Sequence, residues 1–468
     1  MNLHLVVLLS YAVVLMVLGL WLGARVRHSS DFFVASRRLG PFLMCATMLA
    51  ANIGAGSTVN AAGLGYRDGL SAWWWVGSAG IGSIALAFWV GPRIRSLAAK
   101  HQLHTVGDFL EHRYGRSVRA TISVLLWIGT LAILAGQLMA IGRVLNVVTG
   151  TELWVGCVIG GLVVTVYFTA GGLLTAAWVN VVQLAVLLTG FAVAVPLALS
   201  AVGGWAHVYA ATSDLDGYWS FWGGGGSGWF YLAMLGPAFI VSPGLLQKIY
   251  GARDDRAVRL GVGLNAGVLL VFAAAPTLLG MIARSVYPDL DSQDLALPTV
   301  LMESLPPLVG ALGLAALFSA EVSSSDAILF MLSTSLSQDL YRRFVSPAAT
   351  DTQVLRVARW AAVAGGILGT ALAVVSESIV DVLSFFYTLL SVSLFVPILA
   401  GLYLRRVGTP EALGAIAGGV GVSVIVQFGS GGAGVAGLTP AMIGLVAAAL
   451  GAGAVAVAGI TRRDRRAP

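Results

Sequence analysis

Residues 48–58 read Met48-Leu49-Ala50-Ala51-Asn52-Ile53-Gly54-Ala55-Gly56-Ser57-Thr58, a polar, glycine-bearing interruption in the middle of the apolar stretch 40–65. Helix-weakening residues at that depth free backbone carbonyls and helix ends that an ion or a solute head can use. Close helix packing through small residues is the competing reading of the same stretch. A second interruption favours the first. Gly236-Pro237-Ala238-Phe239-Ile240-Val241-Ser242-Pro243-Gly244 sets two prolines in the apolar stretch 228–248, and each removes a backbone donor and disturbs the preceding turn. Counted along the chain, 40–65 and 228–248 are the first and sixth helices of a ten-helix set. These are corresponding positions in two inverted five-helix repeats, the arrangement of many secondary transporters.

Composition agrees with a membrane location. Of 468 residues, 58% are hydrophobic and 10% charged, against roughly 25% charged in a soluble domain. The apolar residues fall in blocks of about twenty, the length that crosses a hydrocarbon core of roughly 30 Å. Helices are the expected form because backbone in lipid must satisfy its own hydrogen bonds. The fold class expected is all-α, a polytopic membrane protein of about thirteen spans: 4–24, 40–65, 71–92, 118–142, 150–169, 176–202, 228–248, 258–282, 305–334, 354–375, 380–402, 411–428 and 438–458. Residues 1–30 form a peripheral helix, 31–204 the first inverted repeat, 205–403 the second, and 404–468 two peripheral helices and a basic tail. No connection is long enough for a soluble domain. The loop around 203–227, with Gly223–Gly226, is a polar, flexible outer segment, structural or lid-like.

Charge gives the orientation. With the N-terminus outside, all of the 27 basic residues except Arg67, Arg143 and Arg284 fall on the cytoplasmic side, as the positive-inside rule requires. The net charge of +6 is thus a topology signal and not a mark of nucleic-acid binding. The expectation is a multi-pass cell-membrane protein with a cytoplasmic C-terminus. The first segment lacks a positive n-region and a cleavage site, so it reads as a retained span. Cys45 and Cys157 both fall in predicted spans, and the six histidines show no metal-ligand spacing. No nucleotide-binding loop, organic-cofactor motif or catalytic acid/base constellation is visible, which points away from an enzyme. The expected partners are the lipid bilayer and a small organic solute; oligomeric state is left open.

Phe318-Ser319-Ala320-Glu321-Val322-Ser323-Ser324-Ser325-Asp326 concentrates oxygen-bearing groups in the ninth apolar span. Ser323 and Ser324 facing the first break would complete an oxygen cage for a hard cation; each hydroxyl alone can instead bond its own helix backbone. Glu321 and Asp326 are costly in a bilayer unless paired, hydrated or protonated, so both are coupling candidates. Five residues apart, they do not face one another.

Four stretches make the chain resemble the sodium:solute symporter family over nearly its whole length: Ala50-Ala51-Asn52-Ile53; Thr105 through Gly115; Tyr167 through Gln183, with its Gly-Gly and Trp-x-x-x-x-Gln; and Ala320 through Tyr341, ending Gln338-Asp339-Leu340-Tyr341. The resemblance implies leucine-transporter architecture, a five-plus-five inverted-repeat core with broken first and sixth helices, and alternating access. It implies Na⁺ as coupling ion, held by the carbonyls of Ala50, Ile53 and Ala320 and the hydroxyls of Ser323 and Ser324. Two departures stand out. Asn180 replaces an aspartate that many members carry, and Glu321 stands where relatives often have an apolar residue, which leaves proton coupling through Glu321 as an alternative. A solute sensor that has lost transport is a second alternative. The Asn-Gln-Tyr pattern of sugar-transporting members is missing around Ser242-Pro243-Gly244, which argues against a hexose. By helix position the solute-lining candidates are Ser57, Trp74, Trp127, Gln137, Phe239, Ser242 and Tyr387. Trp and Tyr can cage a quaternary ammonium or simply anchor helices.

Overall fold

The computed structural model describes residues 3–23, 39–223, 227–432 and 434–464. Helix α1 (Leu3–Gly23) precedes α2 (Pro41–Asn52) and α3 (Val59–Asp68), and α4 (Trp73–Ala85) runs through a π-helical turn, Leu86–Val90, into α5 (Gly91–His101). A short α6 (Val106–Tyr114) leads to α7 (Arg116–Thr149), α8 (Leu153–Ala201) and α9 (Trp205–Thr212). The chain continues with α10 (Ser227–Val241), α11 (Pro243–Tyr250), α12 (Asp255–Phe272), α13 (Ala274–Val286) and α14 (Ala296–Glu303). Then come α15 (Pro307–Thr334) with a π-helical extension, Ser335–Val345, followed by α16 (Asp351–Val375), α17 (Ile379–Tyr403), α18 (Thr409–Gly429) and α19 (Pro440–Asp464).

Among the described residues no strand forms, only two isolated bridges, so the expected all-α class holds. Among the described residues ten helices are long and apolar enough to cross a membrane, and Leu3–Val14, Pro41–Asn52 and Leu153–Val166 are shorter apolar helices. The expected thirteen spans are therefore not reproduced one for one. Those at 150–169 and 176–202 fall in the single 49-residue helix α8, because residues 170–175 contain neither proline nor charge to stop a helix. At 1.5 Å per residue its residues amount to about 74 Å of helix, the length of two spans of a roughly 30 Å core. Its two arms pack separately, Gly156 against Gly142 of α7 and Gly190 against Ala316 of α15. Gly224–Gly226 of the expected lid-like loop lie outside the described residues.

Both expected breaks are present, and they differ in kind. The first spans Ile53–Thr58, where Ile53 is extended (φ −102°, ψ 99°) between α2 and α3. In the second, Pro237 lies inside α10 without ending it, while Pro243 opens α11 and Ser242 alone (φ −53°, ψ 120°) makes the gap. A proline fits the first helical turn because the N–H it lacks would have no partner there.

The two ends of the bundle are unlike. At the basic end Arg119 of α7 is buried beside Asp339 (2.7 Å), Glu111 (2.8 Å) and Asp108 (2.9 Å), and Arg343 also pairs with Glu111. Thr105, the N-cap of α6, donates to Asp339 Oδ1 at 2.6 Å, and Arg95 reaches Asp255 at 3.2 Å. These contacts tie α6, α7 and the end of α15 together around a cavity of only about 30 Å³. At the opposite end an open vestibule of about 910 Å³ enters between Arg67, Asp68, Asp216, Tyr218, Arg284 and Asp381.

Candidate functional site

The first break is built by diverted hydrogen bonds. In an unbroken helix the Gly54 N–H would bond the Ala50 carbonyl and the Ser57 N–H the Ile53 carbonyl. Here Gly54 N–H donates to Ser57 Oγ (3.0 Å) and Ser57 N–H to Gly54 O (2.9 Å). The Ser57 hydroxyl in turn reaches Asn52 O at 2.9 Å. The Ala50 and Ile53 carbonyls are left without these helical donors.

Helix α15 fills that gap. Ser324 Oγ lies 3.2 Å from Ala50 O and 2.9 Å from Ile53 O. Ser323 Oγ lies 3.1 Å from Ala50 O and 3.4 Å from Ala320 O. All five residues of the expected cation set thus meet at one point, each presenting an oxygen, and both serines are buried. The approach is close enough to require glycine at position 54: an added Cβ would stand 2.5 Å from Ser324 Cβ and 2.6 Å from Gln137 Oε1.

Several sequence candidates turn out to shape the break instead of lining a cavity. Gln137 Oε1 accepts the Ala55 N–H at 2.8 Å, and Ser57 holds the turn itself. Glu321 Oε1 lies 2.7 Å from the Thr58 hydroxyl at the start of α3, where the helix dipole favours an anion; its Oε2 has no hydrogen-bond partner among the described residues. Asp326 is buried, with neither carboxylate oxygen bonded among the described residues. It lies about 140° around the helix from Glu321, so the structure does not bring the two acids together. Asn180 falls on α8 where the side chains lie outside the described residues.

The aromatic candidates divide. Gly56 sits under Leu383, Trp75 and Tyr387. Tyr387 stacks on Phe239 (5.6 Å between centroids), and Trp75 meets Tyr231 edge-on at 5.3 Å. Phe239 and Tyr387 are therefore at the break, below the vestibule to which Tyr231 belongs. Trp74 is not: it stacks on Trp222 and donates to Phe221 O at 2.9 Å. The neighbour Trp75 takes the place expected of it, a distinction that the run Trp73-Trp74-Trp75 conceals until helix register is known. Trp127 lies ten residues, about 15 Å, from Gln137 along α7, toward the basic end. Ser242 occupies the second break, its carbonyl accepting from Leu245 and Leu246 N–H. Sequence reasoning missed Thr58, Trp75 and Tyr231, and also the Asn52–Asn265 contact at 3.0 Å that joins α2 to α12.

Comparison with known proteins bears on this geometry. The model of the family described as "Sodium:solute symporter family" matches residues 32–421. The human sodium/iodide cotransporter is 24% identical over 444 residues, 88% of this chain and 68% of the relative. The Escherichia coli sodium/pantothenate symporter is 25% identical over 424 residues, 85% of each chain. Among solved structures, a Na⁺-coupled sialic acid symporter in a substrate-bound outward-open state superposes with a TM-score of 0.82 at 18% identity, covering 97% of both chains.

Proposed function

The chain belongs to the sodium:solute symporter family, and from that premise we propose that it is a secondary active transporter that couples inward movement of Na⁺ to uptake of a small organic solute. The observation that carries this reading is the meeting of Ala50, Ile53, Ala320, Ser323 and Ser324 oxygens across the α2/α3 break. Sodium is a hard ion that prefers such oxygens, and unwound carbonyls are its usual partners in transporters of this build. Rotation of the two hydroxyls turns their lone pairs inward in place of the hydrogens that now face Ala50 and Ile53. The ion then links α2 to α15.

The solute binds beside this site, against the Gly56 backbone and the rings of Trp75, Phe239 and Tyr387, after entering through the vestibule. The basic end faces the cytoplasm and the vestibule faces outward, as the charge distribution favours. Residues 31–204 and 205–403 act as the two inverted repeats. Each Na⁺ crossing the membrane potential supplies roughly 2.3 kcal/mol per 100 mV, which accumulates solute without ATP.

A second reading rests on Glu321, whose buried carboxyl lies against the same break with one oxygen unpartnered among the described residues: protons, not Na⁺, drive uptake. Proteoliposomes given Na⁺ and proton gradients separately decide between them with a solute panel. Sodium-driven uptake, with half-saturating Na⁺ raised about tenfold or more by Ser323→Ala and Ser324→Ala through loss of ion-directed oxygens, is the expected outcome. Unaltered sodium dependence in both variants refutes the site, and uptake driven by protons alone moves coupling to Glu321.

A further inference from the structure

A groove of about 840 Å³ opens on the outside of the bundle between α4, α8 and α12, away from the break and the vestibule. Its walls are Ile84 and Phe88 on one side and Leu188 and Phe191 on the other, and its floor is α12, where Gly263 and Gly267 carry no side chain. The floor is open: a Cβ at Gly267 would meet nothing within 4 Å, and one at Gly263 only the Phe88 ring at 3.4 Å. Apart from Arg259, every residue lining the groove is uncharged.

Arg259 stands at one end, and Arg256 lies one turn before it on α12. Both are exposed, and neither makes an ion pair or hydrogen bond among the described residues. This contrasts with the nearby Arg95, Arg253 and Arg93, which are engaged by Asp255, Asp254 and the Tyr403 ring. From Arg259 to Val271 the groove follows α12 for about 18 Å, close to the depth of one leaflet of a roughly 30 Å core. A long apolar channel of leaflet depth that ends at the unpaired guanidinium of Arg259, with that of Arg256 one helical turn beyond, has the shape and charge of a phospholipid, since arginine forks match phosphate oxygens and basic pockets beside membrane helices hold anionic head groups.

We propose that this groove is a phospholipid site, with the phosphate held by Arg256 and Arg259 and an acyl chain lying over Gly263 and Gly267. The glycine pair at i and i+4 also has the spacing of a helix-dimer seam. A two-fold dimer packed there would set the Arg259 side chains of both copies at the same depth on the same seam, where like charges repel, so a lipid suits the site better than a second copy.

Native mass spectrometry of the full chain, purified in mild detergent and supplied with phosphatidylglycerol or phosphatidylethanolamine, tests this. The expected result is one phosphatidylglycerol retained per chain, with phosphatidylethanolamine held more weakly. Arg256→Ala/Arg259→Ala together lower retention about tenfold or more, as loss of charge-assisted bonds predicts. Gly267→Leu, for which the floor has room, fills the channel and abolishes retention while the melting temperature stays within a few degrees. Retention by both variants at the unaltered level, or no lipid held one-to-one by the unaltered chain, overturns the proposal. So does a chain that is dimeric without lipid and becomes monomeric in Gly267→Leu.

Discussion

Gly54→Ala tests the break at its tightest point. The residue does not lie in the left-handed region, so alanine brings no backbone strain and the effect must come from contact. The new Cβ would stand 2.5 Å from Ser324 Cβ and 2.6 Å from Gln137 Oε1, and closer still to Ser324 Oγ. Ordinary contact begins near 3.4 Å, so α2 and α15 must part by about 1 Å where the Ala50, Ile53 and Ser324 oxygens meet. Overpacking of this size costs about 1–3 kcal/mol. Borne by the form in which the two helices hold the ion, it raises half-saturating Na⁺ roughly fivefold to a hundredfold, at 1.4 kcal/mol per decade. Uptake is measured against Na⁺ concentration at matched protein abundance in the membrane. A half-saturating concentration within twofold of the unaltered chain would refute the placement of the ion between Ser324 and the break. An equal loss of melting temperature with unchanged sodium dependence would do the same, because it would show both forms bearing the cost alike.

Three further outcomes are expected. Trp75→Leu raises the solute concentration for half-maximal uptake severalfold, while Trp74→Leu, which unstacks Trp222 and removes the bond to Phe221 O, leaves it within about twofold; a shared effect would return Trp74 to the site. Arg119→Gln leaves Asp339 buried beside Thr105 without its cation, a loss of about 3–5 kcal/mol, and cysteines placed on the basic side become more reactive to a soluble thiol reagent as that end opens. The third concerns pH. Partial burial raises the Glu111 carboxyl, but hydrogen bonds from Arg343 and Arg119 outweigh it and hold the group below the usual glutamate range. A depressed value means that the contribution is present above the unfolded value of about 4.3 and is lost as pH falls through the folded one. Melting temperature should therefore hold between pH 8 and 5 and drop at more acid pH, and Glu111→Gln should flatten that drop.

What the sequence discloses follows from what each feature depends on. The first break was legible because its cause is local: Gly54, Gly56, Ser57 and Thr58 lie together, and the diverted bonds that free Ala50 and Ile53 are made within five residues. The place of Ser323 and Ser324 opposite that break came from family resemblance, since 270 residues separate the partners and no local pattern joins them. Aromatic positions were harder to read. Trp74 and Trp75 differ by 100° on one helix, and which of them faces Gly56 is set by how α4 packs on α10, a contact with no signature in the run itself. The prolines show the same limit, for Pro237 and Pro243 look equivalent in sequence while only Pro243 falls where a helix begins. The two spans merged in α8 are separated in sequence only by a dip in hydropathy, and residues 170–175 contain neither proline nor charge to oblige a helix to stop.

Helix α15 gives the proposed cycle its physical link between ion and gate. It carries Ser323 and Ser324 at the break and runs, through its π-helical extension, to Asp339 in the buried cluster with Arg119. The fifteen residues from Ser324 to Asp339 span about 22 Å at helical rise, with no proline or glycine among them to form a hinge. An ion that binds α15 to α2 therefore constrains the same element whose far end is held to α6 and α7 by Thr105 and Arg119. Opening of the basic end must break the Asp339 contacts by moving the end of α15 away from α6 and α7 or by moving those helices away from it. In the first case the serines shift relative to Ala50 and Ile53, and the ion loses ligands as the gate opens. In the second the site stays intact and the ion is retained. Release of Na⁺ together with solute requires the first, so cysteine pairs that cross-link Asp339's segment to α6 should abolish sodium release, while cross-links between α6 and α7 should not.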